Sequence, residues 1–157
     1  MKLLPPMYYK TVRIADNAND IYIDEKSIKD SKAPDTYAVF VNEYGMIRKV
    51  IKHSKKQFKD TTFLYSNKGN LISYIFINKR GITIQEKYDY TIGKKTLFTK
   101  DFYKANQHIK REKYDQKNML VEIIYYMQGD VYYKEYFKDG DKHPFNVEYF
   151  NKAGLRI

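Results

Sequence analysis

The chain has 157 residues, 43% hydrophobic and 31% charged, with 29 Lys and Arg against 19 Asp and Glu for a formal net charge of +10. Its 17 Tyr and 9 Phe set it apart from disordered chains, which are poor in aromatic residues, and the lack of any Cys excludes disulfides, thiolate metal sites and thiol catalysis. The basic excess makes polyanions such as nucleic acid, teichoic acid or an anionic membrane candidate partners, although Lys on exposed strands also guards against edge pairing.

The start, MKLLPPMYYK, offers only Leu3 and Leu4 before Pro5 and Pro6, so no signal-peptide core is expected. No apolar run approaches the ~18 residues that span a bilayer. A soluble, cytoplasmic protein is the expectation. Residues 1–36 read as an irregular N-terminal segment with one or two strands, in MYYKTVRIA (Met7 to Ala15) and DIYID (Asp20 to Asp24), followed by the charged linker EKSIKDSKAPD.

Residues 37–157 read as a repetitive β-meander. Polar turns interrupt Tyr-, Phe-, Ile- and Val-rich runs, and their last residues fall at 45, 69, 81, 93, 107, 118, 129, 140 and 154. The steps are 11 to 14 residues after a first step of 24, which is two units with a further turn expected in HSKKQFKD (His53 to Asp60). A fixed period of this kind sets the architecture. Between turns the apolar residues alternate with period two, as strands require. LISYIFIN (Leu71 to Asn78), ITIQEKYD (Ile82 to Asp89), KTLFTKDFY (Lys95 to Tyr103), HIKREKY (His108 to Tyr114), MLVEIIYYM (Met119 to Met127) and VYYKEYF (Val131 to Phe137) are the expected strands.

Connections this short leave no room for crossover helices, so neighbours must be antiparallel hairpins. HIKREKY has Arg111 and Lys113 beside Ile109 on one side, with His108, Lys110, Glu112 and Tyr114 on the other, and can hardly be buried on either face. The fold class is therefore all-β: an antiparallel meander of about 9–12 strands in an extended, twisted open sheet. A closed barrel or a sandwich is the alternative. Cross-strand pairs, worth ~0.2–1 kcal/mol each, must supply much of the stability.

Motifs for chemistry are scarce. His53, His108 and His143 lack metal-pair spacing, no glycine precedes a helix that could hold a phosphate, and no serine has elbow-type flanks. No cofactor, no metal ligand and no catalytic residue is assigned, and catalysis by this chain alone is not expected. Binding is the remaining class. Strands rich in Tyr and Lys suit stacking on sugars or unpaired bases, and alternation places Tyr132, Lys134 and Tyr136 on one face, with Tyr126 on the opposite face from Tyr125. Lys110, Arg111 and Lys113 add a basic row. These seven residues, Tyr132, Lys134, Tyr136, Tyr126, Lys110, Arg111 and Lys113, form the candidate binding face.

The pattern aromatic, x, Asn/Asp, x, x, Gly, x, aliphatic recurs in FVNEYGMI (Phe40 to Ile47), FINKRGITI (Phe76 to Ile84) and YFNKAGLRI (Tyr149 to Ile157). It resembles the extended β-sheet domain of Gram-positive GT-B glycosyltransferases that act on teichoic acid or serine-rich adhesins, and more weakly YwqK-like and MORN-like repeat proteins. The resemblance covers Tyr37 to Ile157. It implies an acceptor-binding or subunit-pairing platform whose catalytic halves lie elsewhere, so no transferase activity is carried over. KANQ (Lys104 to Gln107) and DQKN (Asp115 to Asn118) depart from the pattern by lacking Gly. The functional expectation is a non-catalytic platform for an acceptor polypeptide or anionic glycopolymer. A stand-alone immunity- or antitoxin-like interaction protein and a nucleic-acid binder are the alternatives. The bare final segment, Leu155 to Ile157, suggests an edge that pairs with another copy or continues into a larger protein.

Overall fold

The computed structural model describes residues 2–24, 27–28, 35–54 and 59–157. Most of the charged linker and the centre of the expected turn between His53 and Asp60 lie outside them. Among the described residues the fold is all-β, an antiparallel meander of twelve strands that is not closed into a barrel. No helix among the described residues is long and apolar enough to cross a membrane. The chain divides into two compact units, Met1–Ile77 and Asn78–Ile157.

The first unit contains β1 (Met7–Tyr9), β2 (Val12–Arg13), a short 3-10 turn (Ala18–Asp20), β3 (Tyr22–Ile23), β4 (Ser27–Ile28), β5 (Tyr37–Val41), β6 (Ile47–Lys52), β7 (Thr61–Tyr65) and β8 (Leu71–Ile77). Its strand order is β8-β7-β6-β5-β1-β4, and β2 pairs only with β3. The N-terminal segment is thus partly woven into the meander: β1 inserts between β5 and β4. The stretch after β2 docks on the β7–β8 turn. Leu71 N donates to the Asp16 carbonyl and Ala18 N to the Gly69 carbonyl, both at 2.7 Å, while the Tyr65 hydroxyl donates to the Ala15 carbonyl at 3.0 Å. Beneath this cover Tyr65, Val50 and Leu71 are buried. Gly69 has φ +84, and a Cβ there would lie 3.3 Å from Asn17 Oδ1. The close approach needs the missing side chain.

The second unit contains β9 (Thr83–Asp89), β10 (Thr96–Lys104), β11 (Gln107–Tyr114), β12 (Leu120–Met127), β13 (Asp130–Tyr136) and β14 (Asn146–Tyr149), each paired antiparallel with the next. All six expected runs from LISYIFIN onward are strands. Little of this unit is fully buried: Ile84, Ile123, Ile124 and Phe137 are its buried apolar residues, joined by Thr96, Thr99 and Asp101. Cross-strand contacts take the place of a thick core.

Turn chemistry explains the repeat. In four turns an Asn or Asp side chain caps the reversal, its Oδ1 accepting backbone N–H groups two and four residues on: Asn42 from Tyr44 and Met46, Asn78 from Arg80 and Ile82, Asp115 from Lys117 and Met119, Asn151 from Ala153 and Leu155. The fourth residue of each has positive φ, as at Gly45, Gly81, Asn118 and Gly154. That is the reason for the Asn-x-x-Gly spacing, and Asn118 serves where DQKN lacks Gly because Asn tolerates the left-handed region. KANQ belongs to a different class. Ala105 and Asn106 both have positive φ, as do Gln128 and Gly129, the conformation of two-residue hairpin turns whose twist matches that of the strands.

Candidate functional site

In the second unit, register decides which side chains share a face. One cross-strand row runs Ile84, Phe102, Lys110, Tyr125, Tyr133, Tyr149. On the other face a parallel row runs Gln85, Asp101, Arg111, Ile124, Lys134, Glu148. Four one-residue irregularities interrupt the ladder, at Phe98, Ile109, Val121 and Tyr132. A bulge sets two residues of one strand against one of its partner and so re-aims a side chain.

The bulges correct the expected binding face. Tyr125 faces Tyr133 while Tyr126 faces Val131, so Tyr132 is the inserted residue. Its ring lies 6.4 Å from that of Tyr125, which also packs on Tyr133 at 5.4 Å. Tyr132 has therefore left the row of Lys134 and Tyr136 and joined the face of Tyr125. Tyr126 stays on the other face, its ring 4.2 Å from His108. The inserted Ile109 likewise moves to the side of Lys110, and His108 moves to the side of Arg111. At Phe98 the same device puts Thr96 and Thr99 on one face, both buried.

The basic row does not form either. Lys110 stands on the aromatic face, its ammonium 4.1 Å from the Phe102 ring centroid and 3.5 Å from Glu112. Arg111 and Lys113 stand on the opposite face and are engaged, Arg111 with Asp101 and Lys113 with Glu122 at 3.5 Å. Lys134 also reaches Glu122, at 3.5 Å, and lies 5.4 Å over the Phe150 ring. Tyr136 donates its hydroxyl to Glu148, an acceptor that holds the proton on the phenol and pushes its pKa up to about 12.

Two constellations result. On one face Asp101 is fully buried and accepts from Arg111 Nε at 2.6 Å, with His108 Nε2 at 2.8 Å and Lys87 Nζ at 3.9 Å. His108 is stacked between Tyr103 and Tyr126, at 4.9 and 4.2 Å. The bond to Asp101 raises the Arg111 pKa, and burial raises those of Tyr103 and Tyr126. A buried carboxylate persists only when paired and hydrogen-bonded. Asp101 meets that demand with its own neighbours, which reads as a structural staple between β9, β10 and β11. Among the described residues no group of three or more His, Asp or Glu could hold a metal ion.

On the other face a groove of about 770 Å3 is walled by Ile82, Phe102, Ile109, Tyr125 and Tyr132, reached at its rim by Tyr126, and edged by Asn78, Lys79, Arg80 and Lys110. Tyr132 is 40% exposed. Tyr125 donates its hydroxyl to Glu135 at 2.6 Å, and burial with that carboxylate raises its pKa. A second hollow, of about 800 Å3, lies at the other turns of this unit beside Leu97, Phe98 and Met119. Its Asp89 and Asp115 carboxylates are already committed to Thr91 and to the backbone of the 115–119 turn. The groove is the better candidate because its rings and cations converge on open space. Its residues were spread through five expected strands and a turn, and the signal in the sequence was the density of Tyr around 125–133. Phe102, Ile109 and Arg80 gave no signal, since only the register and the Ile109 bulge bring them together.

No protein-family model matches the chain, and no curated protein matches it.

Proposed function

We propose that this chain is a non-catalytic recognition platform that holds part of an extended ligand on the aromatic face of its second unit, in the manner of an acceptor-binding sheet of a glycosyltransferase system. The observation that carries the reading is the groove itself: exposed Tyr132 and half-buried Phe102 and Tyr125 flank open space beside Lys79, Arg80 and Lys110. Sites for ligands are concave, largely apolar and supplied with a few convergent polar groups. The buried carboxylate cluster at Asp101 is closed upon itself, which favours binding over acid–base chemistry.

Between an acceptor polypeptide and a polyanion, the ion pairs favour the polypeptide. A polyanion needs a track of cations to replace its counterions. Here Arg111, Lys113, Lys100 and Lys134 face carboxylates instead. The same pairing weighs against the nucleic-acid alternative.

The test is a titration of the isotope-labelled protein, followed by amide chemical shifts, with three polymers: an unstructured Ser-rich polypeptide, poly(glycerol phosphate) and oligo(dT). Saturable shifts at Phe102, Tyr125 and Tyr132 with either of the first two are expected. Shifts with oligo(dT) alone, steeply weakened by salt, would replace this reading with nucleic-acid binding. No saturable shift with any of the three would remove it.

A further inference from the structure

We infer that the groove selects a peptide segment in which one aromatic or large apolar side chain is flanked by carboxylates. This deepens the platform reading and rests on it. The walls come from Ile82, Phe102, Ile109, Tyr125 and Tyr132, with Tyr126 at the rim, so the groove offers apolar surface on which an aromatic side chain can pack, with room for its flanking residues. Its edge carries Lys79, Arg80 and Lys110, and no Asp or Glu lines it. Lys110 is shared between the Phe102 ring and Glu112. Lys79 and Arg80 are exposed, and among the described residues they form no ion pair.

The charge at the mouth is thus two cations on one turn, held in place by the Asn78 side chain through the N–H groups of Arg80 and Ile82. Two localised cations match one or two carboxylates beside an anchor residue. They do not match a phosphate chain, for which cations would have to continue along the face. A planar guanidinium on a formed turn also suits bidentate pairing with a carboxylate.

The experiment uses the full chain and fluorescein-labelled peptides followed by anisotropy. The probe has one Phe between two pairs of Asp (DDFDD), and its controls replace the Phe by Ala (DDADD) or the Asp by Lys (KKFKK). DDFDD is expected to bind at least tenfold more tightly than either control. Each mouth cation contributes as an exposed ion pair, so Lys79→Ala with Arg80→Ala together should weaken DDFDD about five- to tenfold. Lys117→Ala, on a turn away from the groove, should leave it unchanged. Tyr132→Ala should weaken DDFDD and remove its preference over DDADD.

The peptide selectivity is overturned if DDFDD and DDADD bind equally, or if the double turn variant binds DDFDD as well as the native chain. If poly(glycerol phosphate) shifts the groove residues while DDFDD does not bind, the platform reading stands and the peptide assignment falls. If neither binds and the Ser-rich polypeptide gives no saturable shift, both fall.

Discussion

Replacing Asp101 by Ala removes the carboxylate on which β9, β10 and β11 converge. The residue has no exposed surface, and its oxygens take Arg111 at 2.6 Å and His108 at 2.8 Å. Breaking a buried ion pair by deleting one partner costs about 3–5 kcal/mol, because the other charge is left stranded. Arg111 keeps 33% of its side-chain surface and His108 keeps 21%, so both can turn toward water and recover part of that cost. The expected loss is about 2–3 kcal/mol. With a urea m-value of about 1–3 kcal/mol per molar, the unfolding midpoint falls by about 0.7–3 M. Equilibrium urea unfolding measures it, and hydrogen exchange of the β10 and β11 amides ties the loss to these strands. Asp101→Asn keeps an acceptor for one neighbour and should lose about half as much. A midpoint shift below about 0.3 M, or faster exchange elsewhere with β10 and β11 untouched, would refute the staple.

Tyr132→Ala should change stability by less than about 1 kcal/mol in thermal melts, since the residue is 40% exposed and stands at a bulge outside the paired ladder, while binding at the groove is weakened. Asn42→Ala deletes a buried side chain, 1% exposed, that accepts from Tyr44 N and Met46 N. Leaving those donors without their acceptor should cost about 1–3 kcal/mol in urea unfolding. Gly69→Ala meets both positive φ and the Asn17 contact, and should expose the chain around residues 15–18 to limited proteolysis at a loss of about 1–2 kcal/mol. Alkaline titration probes the tyrosines. Tyr136 has a folded pKa of about 12, and Tyr125 and Tyr114 are also raised from 10.0. Their folded states hold the proton more tightly than the unfolded chain, so this stability is complete below pH ~10 and is lost as pH rises through the folded values. Stability should therefore begin to fall above pH ~10. Tyrosinate absorbance should show a late-titrating group that shrinks in Tyr136→Phe. Uniform titration of all tyrosines near 10 would contradict the hydrogen bonds to Glu148, Glu135 and Glu112.

The strands and most turns were readable because two signals coincide in them. Side-chain alternation marks β8 to β13, and an Asn or Asp three residues before a left-handed Gly or Asn marks the hairpins. The faces were less readable. Alternation has no way to register an inserted residue, and the bulges at Phe98, Ile109 and Tyr132 each move neighbours to the other side. Thus the row Tyr132, Lys134, Tyr136 dissolved, and Ile109 joined Lys110. The basic row failed for another reason. Neighbouring residues in a strand point to opposite faces, and Arg111 and Lys113 found Asp101 and Glu122 across strands whose register the sequence does not state. The Asp101 cluster was unforeseen because a lone Asp in KTLFTKDFY looks like any solvated carboxylate until His108 and Arg111 are set beside it.

On the proposed reading, the groove beside the Asn78–Gly81 turn is where this chain meets its ligand. Hydrogen–deuterium exchange of the full chain with and without saturating DDFDD peptide tests it most directly. The expected result is new protection confined to the segments around 78–84, 102–110 and 125–133, the three stretches that wall the groove. Protection confined to the 89–98 and 114–119 segments of the other hollow would contradict it, as would none anywhere with DDFDD, the Ser-rich polypeptide and poly(glycerol phosphate) alike.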